Sequence, residues 1–265
     1  MVEGLTGSRL PQSQVDQQIR ELEARLVREQ DRVPAQVVHD WVERARARFA
    51  RARVLTFVPI LVERAVRAEF RAVAPRHSSG ERLADWARRT ARDILAVELP
   101  RRWAHTQGVA ERAEEVARVL SPEEGDVLVA SAWLHDIGYA SALNVLGFHQ
   151  LDGARFLAEH GVARRVCALV AHHAGAAAVA ELEGLGPQLA EFEDERGPVR
   201  DALWYADMTT SPDGLRVSFA DRMAELRGRR GPEDPVVRAL AVNGAERAAA
   251  VRRTEQLLSR HAVPA

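Results

Sequence analysis

Histidine and aspartate side chains recur at positions where a helical apolar pattern would bury them. They fall in five short phrases, which contain His105, the pair His135-Asp136, His149, the pair His172-His173, and Asp207. A buried imidazole or carboxylate must be paired, hydrogen-bonded or bound to a metal, because it loses its hydration on folding. One such residue is ordinarily a satisfied polar group of the core, but several together predict a shared site.

Imidazole and carboxylate ligands suit divalent metal ions, and iron, manganese, zinc, cobalt, nickel and magnesium all remain open. Cys167 is the only cysteine, which excludes a structural zinc site built from thiolates. The sequence contains no lysine, so any side-chain cation that binds a phosphate must be arginine. The formal net charge is −1, and we therefore expect no nucleic acid polymer and no membrane as a partner.

The order of these residues resembles the HD superfamily of metal-dependent phosphohydrolases. The phrase HDIG at residues 135–138 is a common form of that family's central motif, and the similarity covers about residues 82–230. The resemblance implies one metal ion with four ligands, which are His105, His135, Asp136 and Asp207.

Two further phrases resemble elements of the two-metal members of this family. FHQLDGARFL has His149 four residues before Gly153, and VAHHAG contains His172 and His173. The resemblance implies a second metal ion held by His149, His172 and Asp136, which would bridge the two ions. We choose His172 because it aligns with the single histidine of hydrolases that act on diadenosine tetraphosphate. His173 is kept as an extra ligand or a neighbouring group.

The resemblance also implies the reaction, which is hydrolysis of a nucleotide or another small phosphate ester by a metal-bound hydroxide. His135 and Asp136 would be the catalytic residues. Arg155 and Arg216 follow predicted ligands in the sequence and are the candidates for binding substrate phosphate. The chain lacks the Gly-Tyr-Pro loop of the cyclic di-GMP phosphodiesterases, which argues against that substrate.

Other roles remain open for this sequence. A non-catalytic sensor or adaptor could keep the same fold, and some HD-fold proteins are di-iron oxygenases with the same ligands. The general acid for the leaving group is not identified. Asp152 and Tyr139 are near the motifs in sequence, but each is more often a structural residue.

Apolar residues recur at three- and four-residue steps and never alternate for long, which predicts an all-α fold. Residues 1–75 predict a three-helix bundle, and residues 10–72 resemble a dimerisation module, which would give a homodimer through these helices. A helical extension that packs on the following domain is the alternative. Residues 82–230 would form the HD domain and 231–265 a C-terminal helix packed on it. Residues 74–81 are rich in turn formers and predict a linker.

Within the HD region, Ser121 and Glu124 predict a capped helix start. Residues 174–197 give the least regular pattern. The N-terminal residues have no apolar core of a signal peptide, and no apolar run is long enough to span a membrane. A cytoplasmic location is therefore expected.

Overall fold

The computed structural model describes residues 12–28, 33–49, 55–72 and 81–261. The chain divides into two compact units, Met1–Ala74 and Pro75–Ala265. The described residues form helices and turns without a strand, which confirms the predicted all-α fold. No described helix is both long and apolar enough to cross a membrane.

The first unit is a bundle of three helices that contact one another in pairs, as predicted. They are α1 (Gln12–Arg28), α2 (Ala35–Arg48) and α3 (Val58–Ala72), the last preceded by a 3-10 turn (Leu55–Phe57). One apolar face of each helix supplies the core, which includes Val15, Ile19, Leu26, Val38, Val42, Val62 and Val66. Dimerisation through this unit stays a prediction. The predicted linker lies outside the described residues apart from Glu81.

The second unit contains the regions predicted as HD domain and C-terminal helix. Its longer helices are α4 (Leu83–Leu95), α5 (Pro100–Ala117), α6 (Pro122–Leu134), α7 (His149–Glu159) and α8 (Arg164–His172). After two short helices, α9 (Ala176–Leu182) and α10 (Gly186–Leu189), come α11 (Pro198–Met208), α12 (Phe219–Arg230) and α13 (Pro235–His261). Helix α6 packs on α4, α5, α8 and α11, so it forms the centre of this unit.

Local sequence signals account for several helix ends in this unit. The hydroxyl oxygen of Ser121 accepts a hydrogen bond from the Glu124 backbone N–H at 3.3 Å, which confirms the predicted cap of α6. Pro100 and Pro122 stand in the first turns of α5 and α6, where a missing N–H costs nothing. The irregular segment 174–197 contains only short helices joined by turns.

Two glycines inside helices provide a matched test of this packing. A Cβ at Gly108 of α5 would lie 2.2 Å from the carbonyl oxygen of Gly214, whereas a Cβ at Gly244 of α13 would meet nothing within 4 Å. We predict that Gly108→Ala lowers the free energy of unfolding by about 1–3 kcal/mol, because backbone must move. Gly244→Ala should raise it by roughly 0.8–1 kcal/mol through helix propensity. Denaturant unfolding measures both, and equal stability of the two variants would contradict the packing described.

Candidate metal centre

Six chemically active side chains converge in the second unit from five separate places in the chain. His105 lies within α5, and His135 and Asp136 follow the last residue of α6. His149 is the first residue of α7, His173 follows the last residue of α8, and Asp207 lies in the last turn of α11. Five of the six are buried, and His149 is partly exposed. Most of them stand at helix ends, where a side chain can point out of the packed layer.

The carboxylate of Asp136 lies at the middle of this group. Its Oδ2 is 3.2 Å from His135 Nε2 and 3.7 Å from His105 Nε2. Its Oδ1 is 3.5 Å from His149 Nε2 and 3.6 Å from His173 Nε2. The two oxygens therefore face two different pairs of imidazoles, and Asp136 belongs to two separate clusters of three ligands.

Asp207 completes the cluster on the Oδ2 side. Its Oδ1 is 3.1 Å from His105 Nε2. Besides Asp136 itself, the Oδ2 side therefore has two histidines and Asp207, whereas the Oδ1 side has two histidines. Such unequal sets of nitrogen and oxygen donors suit divalent transition metals on both sides.

Backbone carbonyls fix the orientation of three imidazoles. The Nδ1 atoms of His105, His135 and His173 lie 2.9, 2.7 and 2.7 Å from the carbonyl oxygens of Ser211, Ala132 and Val170. A carbonyl oxygen only accepts, so each Nδ1 must carry the proton and donate it. In the neutral form of each imidazole, Nε2 then presents its lone pair towards the carboxylates, which is the arrangement that metal-binding histidines require.

The buried Nε2 of His135 has no hydrogen-bond partner of suitable geometry. A buried polar atom is rarely left in this state, because its desolvation is then not compensated. Lone pairs of imidazole nitrogens and carboxylate oxygens facing one another at these distances repel unless a cation lies between them. The residues present therefore fit metal ions at both clusters.

The electrostatics favour the same conclusion. Burial alone would raise the pKa of Asp136, but Arg102 and His135 hold it well below its usual value. Burial opposes ionisation of Asp207 in the same way, and His105 nevertheless lowers its pKa. Burial lowers the pKa of His149 well below its ordinary value. Ionised carboxylates beside a neutral imidazole form a site that attracts cations.

The sequence model of the HD domain family matches residues 102–226. This region is an HD domain. No curated protein and no solved structure matches the chain.

The structure corrects one predicted ligand, His172. The Nε2–H of His172 donates to the carbonyl oxygen of Phe192 at 2.8 Å, so this side chain points away from Asp136. His173 stands in its place, with Nε2 3.2 Å from His149 Nε2. Helix α8 ends at His172, and adjacent residues at a helix end point in different directions. Alignment with a phrase that has one histidine does not reveal which of two neighbours faces inward.

A turn held by a helix outside the matched region presents His173. Ala174 and Gly175 both have left-handed backbone angles, with φ of 52° and 68°. The side-chain amide of Asn243 in α13 donates to the Gly175 carbonyl oxygen at 2.8 Å. Arg247, one turn further along α13, donates to the Asn243 amide oxygen at 2.7 Å. Helix α13 therefore holds the turn in a conformation that points the His173 side chain towards the centre.

Two residues that sequence reasoning did not assign to the site lie directly against it. The guanidinium of Arg102 donates to Asp136 Oδ2 at 2.7 Å and lies 4.1 Å above the ring of Tyr139. The Tyr139 ring stacks on His149 with centroids 3.8 Å apart. Arg102 stands three residues before His105, which is nearly one helical turn and hence the same face of α5. That spacing is a signal that could have identified it.

The predicted phosphate-binding arginines do not join the centre. Arg155 pairs with Glu191 at 2.8 Å, and Arg216 pairs with Glu115. No contact between either arginine and a candidate ligand is found among the described residues. The carboxylate of Asp152 accepts hydrogen bonds from the Leu146 backbone N–H at 3.0 and 3.1 Å, which gives it a structural role in the loop before α7.

Substitutions in the turn after α8 test how it is held. A Cβ at Gly175 would lie 2.5 Å from the Asn243 amide nitrogen, at a backbone angle that costs an L residue about 1–2 kcal/mol. We predict that Gly175→Ala lowers the free energy of unfolding by at least about 1 kcal/mol. Ala174→Gly should leave it unchanged or raise it by up to about 1 kcal/mol, because it relieves the strain at φ 52°. A Gly175→Ala protein as stable in urea as the parent would show that the turn is not held in this way.

Proposed function

We propose that the HD domain is a metal-dependent phosphohydrolase with two divalent ions bridged by Asp136. One observation carries this proposal: the two oxygens of a single buried carboxylate face two separate pairs of imidazoles at 3.2–3.7 Å. A bridging carboxylate between adjacent ions is the arrangement that two-metal hydrolases use to act on phosphate esters.

The ligands divide between the two ions as the distances suggest. His105, His135, Asp207 and Oδ2 of Asp136 would hold the first ion. His149, His173 and Oδ1 of Asp136 would hold the second, which leaves it with fewer protein ligands and more room for substrate oxygen. Divalent ions supply Lewis acidity and activate a water molecule near neutral pH when bound at such a site.

The protein's own residues prepare this chemistry. Backbone carbonyls keep the imidazole protons on Nδ1, so that Nε2 is available without loss of a proton. The partly exposed His149 marks the side from which substrate would approach, because the other ligands are buried. Arg102 adds a fixed positive charge next to Asp136, where phosphoryl charge would need neutralising. The substrate class proposed is a nucleotide or another small phosphate ester.

Metal content tests the ligand assignment with a matched pair of neighbours. We predict about two metal ions per chain for the purified protein. His173→Ala should lose the second ion, whereas His172→Ala, which removes a side chain bonded to Phe192, should keep both. Asp136→Ala should lose both ions because its two oxygens serve both clusters. Elemental analysis of folded protein, with helix content checked by circular dichroism, measures this, and loss of metal in His172→Ala alone would refute the assignment.

Activity tests the reaction class separately. We predict metal-dependent release of phosphate from at least one member of a panel of nucleotides, dinucleoside polyphosphates and sugar phosphates, without oxygen uptake. Asp136→Ala should lower the rate at least about a hundredfold, because the protein would lose the metal ions whose charge stabilises the reacting phosphoryl group. Two bound ions without hydrolysis of any substrate would favour a sensor, and oxygen consumption by iron-loaded protein would favour an oxygenase.

A further inference from the structure

An arginine-lined cavity of about 350 Å³ opens beside the candidate metal centre. Arg102 and Tyr139, which contact Asp136 and His149, form part of its wall. The remaining charged residues of the wall are Arg101, Arg222, Arg229 and Glu98. The cavity is large enough for a small organic phosphate, since ligand pockets begin at roughly 300 Å³. Leu99, Pro100 and Pro212 give the wall an apolar part as well.

The acidic partners in this region do not balance all four guanidinium groups. Arg101 is matched by Asp213, with nitrogen–oxygen distances of 2.7 and 3.1 Å. Arg222 and Arg229 share the single carboxylate of Glu225. They are seven residues apart on α12 and therefore lie on one face of that helix. One positive charge of this pair has no carboxylate of its own among these contacts.

Arg102 is the second cation without a dedicated partner once metal ions bind. Among the described residues, the carboxylate that pairs with Arg102 is that of Asp136, whose charge would then serve the ions. Glu98 is the one acidic residue in the cavity wall, and it accepts a hydrogen bond from the Ser141 backbone N–H at 2.8 Å. Two uncompensated guanidinium groups against one carboxylate leave the cavity positive. Arginine binds phosphate through a planar pair of N–H groups, which suits this placement.

We propose that this cavity is the substrate pocket and that it selects phosphate compounds with a second anionic group. The first phosphate would lie at the metal centre within reach of Arg102, and the second group would lie against Arg229. The proposal rests on the proposed function for the position of the first phosphate. Arg229 is the residue that would distinguish a diphosphate from a monophosphate.

Binding of two non-hydrolysable probes tests the pocket without turnover. Calorimetry on metal-loaded protein would compare methylphosphonate with methylenediphosphonate, whose P–C–P bond cannot be hydrolysed. We expect the diphosphonate to bind at least about tenfold more tightly, since one further charge-assisted hydrogen bond is gained. Arg229→Ala should weaken diphosphonate binding about tenfold and leave methylphosphonate binding unchanged. Arg102→Ala should weaken both probes about tenfold or more, with the metal content retained.

Arg227→Ala is the matched control. Arg227 is exposed on the same helix but stands two residues from Arg229, nearly on the opposite side of α12, and does not line the cavity. The Arg227→Ala protein should bind both probes as the parent does. Chelation of the metal ions by the diphosphonate is the same for every variant. Equal loss in Arg227→Ala and Arg229→Ala, or no loss in Arg229→Ala, would overturn the pocket. Selective loss in Arg229→Ala in a protein that hydrolyses nothing would keep the pocket and refute the proposed reaction.

Discussion

The buried carboxylate of Asp136 determines how the second unit must be built. It is 2% exposed, Arg102 and His135 hold its pKa well below the usual value, and it lies within 3.7 Å of four imidazole nitrogens. An ionised group removed from water needs compensating charge or hydrogen bonds. Arg102 and His135 supply part of this compensation. Cations in the space between these side chains would supply the remainder, which is why the group fits metal ions.

Most of the clustered side chains reach the centre from the ends of helices. Helix α6 lies at the centre of the unit, and the residues that follow its last turn carry His135 and Asp136. The start of α7 and the ends of α8 and α11 meet at the same place, and each contributes one of the clustered side chains. The family match ends at residue 226, yet the turn that presents His173 is held by Asn243 of α13. The chain thus uses a helix outside the matched region to complete the second cluster.

The sequence alone predicted the fold class and most of the residues that cluster around Asp136. Helical periodicity predicted the all-α fold, and the family motifs predicted His105, the His135-Asp136 pair, His149 and Asp207, which the structure brings together. The choice between His172 and His173 failed because it depends on two left-handed residues, Ala174 and Gly175, and on a contact from α13. Neither is visible in the local pattern around the histidine pair.

The predicted phosphate-binding arginines are not among the clustered residues, for a different reason. Arg155 and Arg216 stand near ligands in sequence, but their carboxylate partners, Glu191 and Glu115, are 36 and 101 residues away along the chain. Long-range pairing of this kind cannot be derived from one sequence. The sequence could have indicated Arg102, because its spacing of three residues from His105 places both side chains on one face of α5.

Anomalous X-ray diffraction from crystals of the manganese-loaded protein would test the central claim most directly. We predict two anomalous peaks about 3.5–4 Å apart, with one oxygen of Asp136 next to each. The second peak should lie beside His149 and His173, and His172 should remain bonded to Phe192. A single peak, or a peak beside His172, would contradict an account in which one carboxylate bridges two ions.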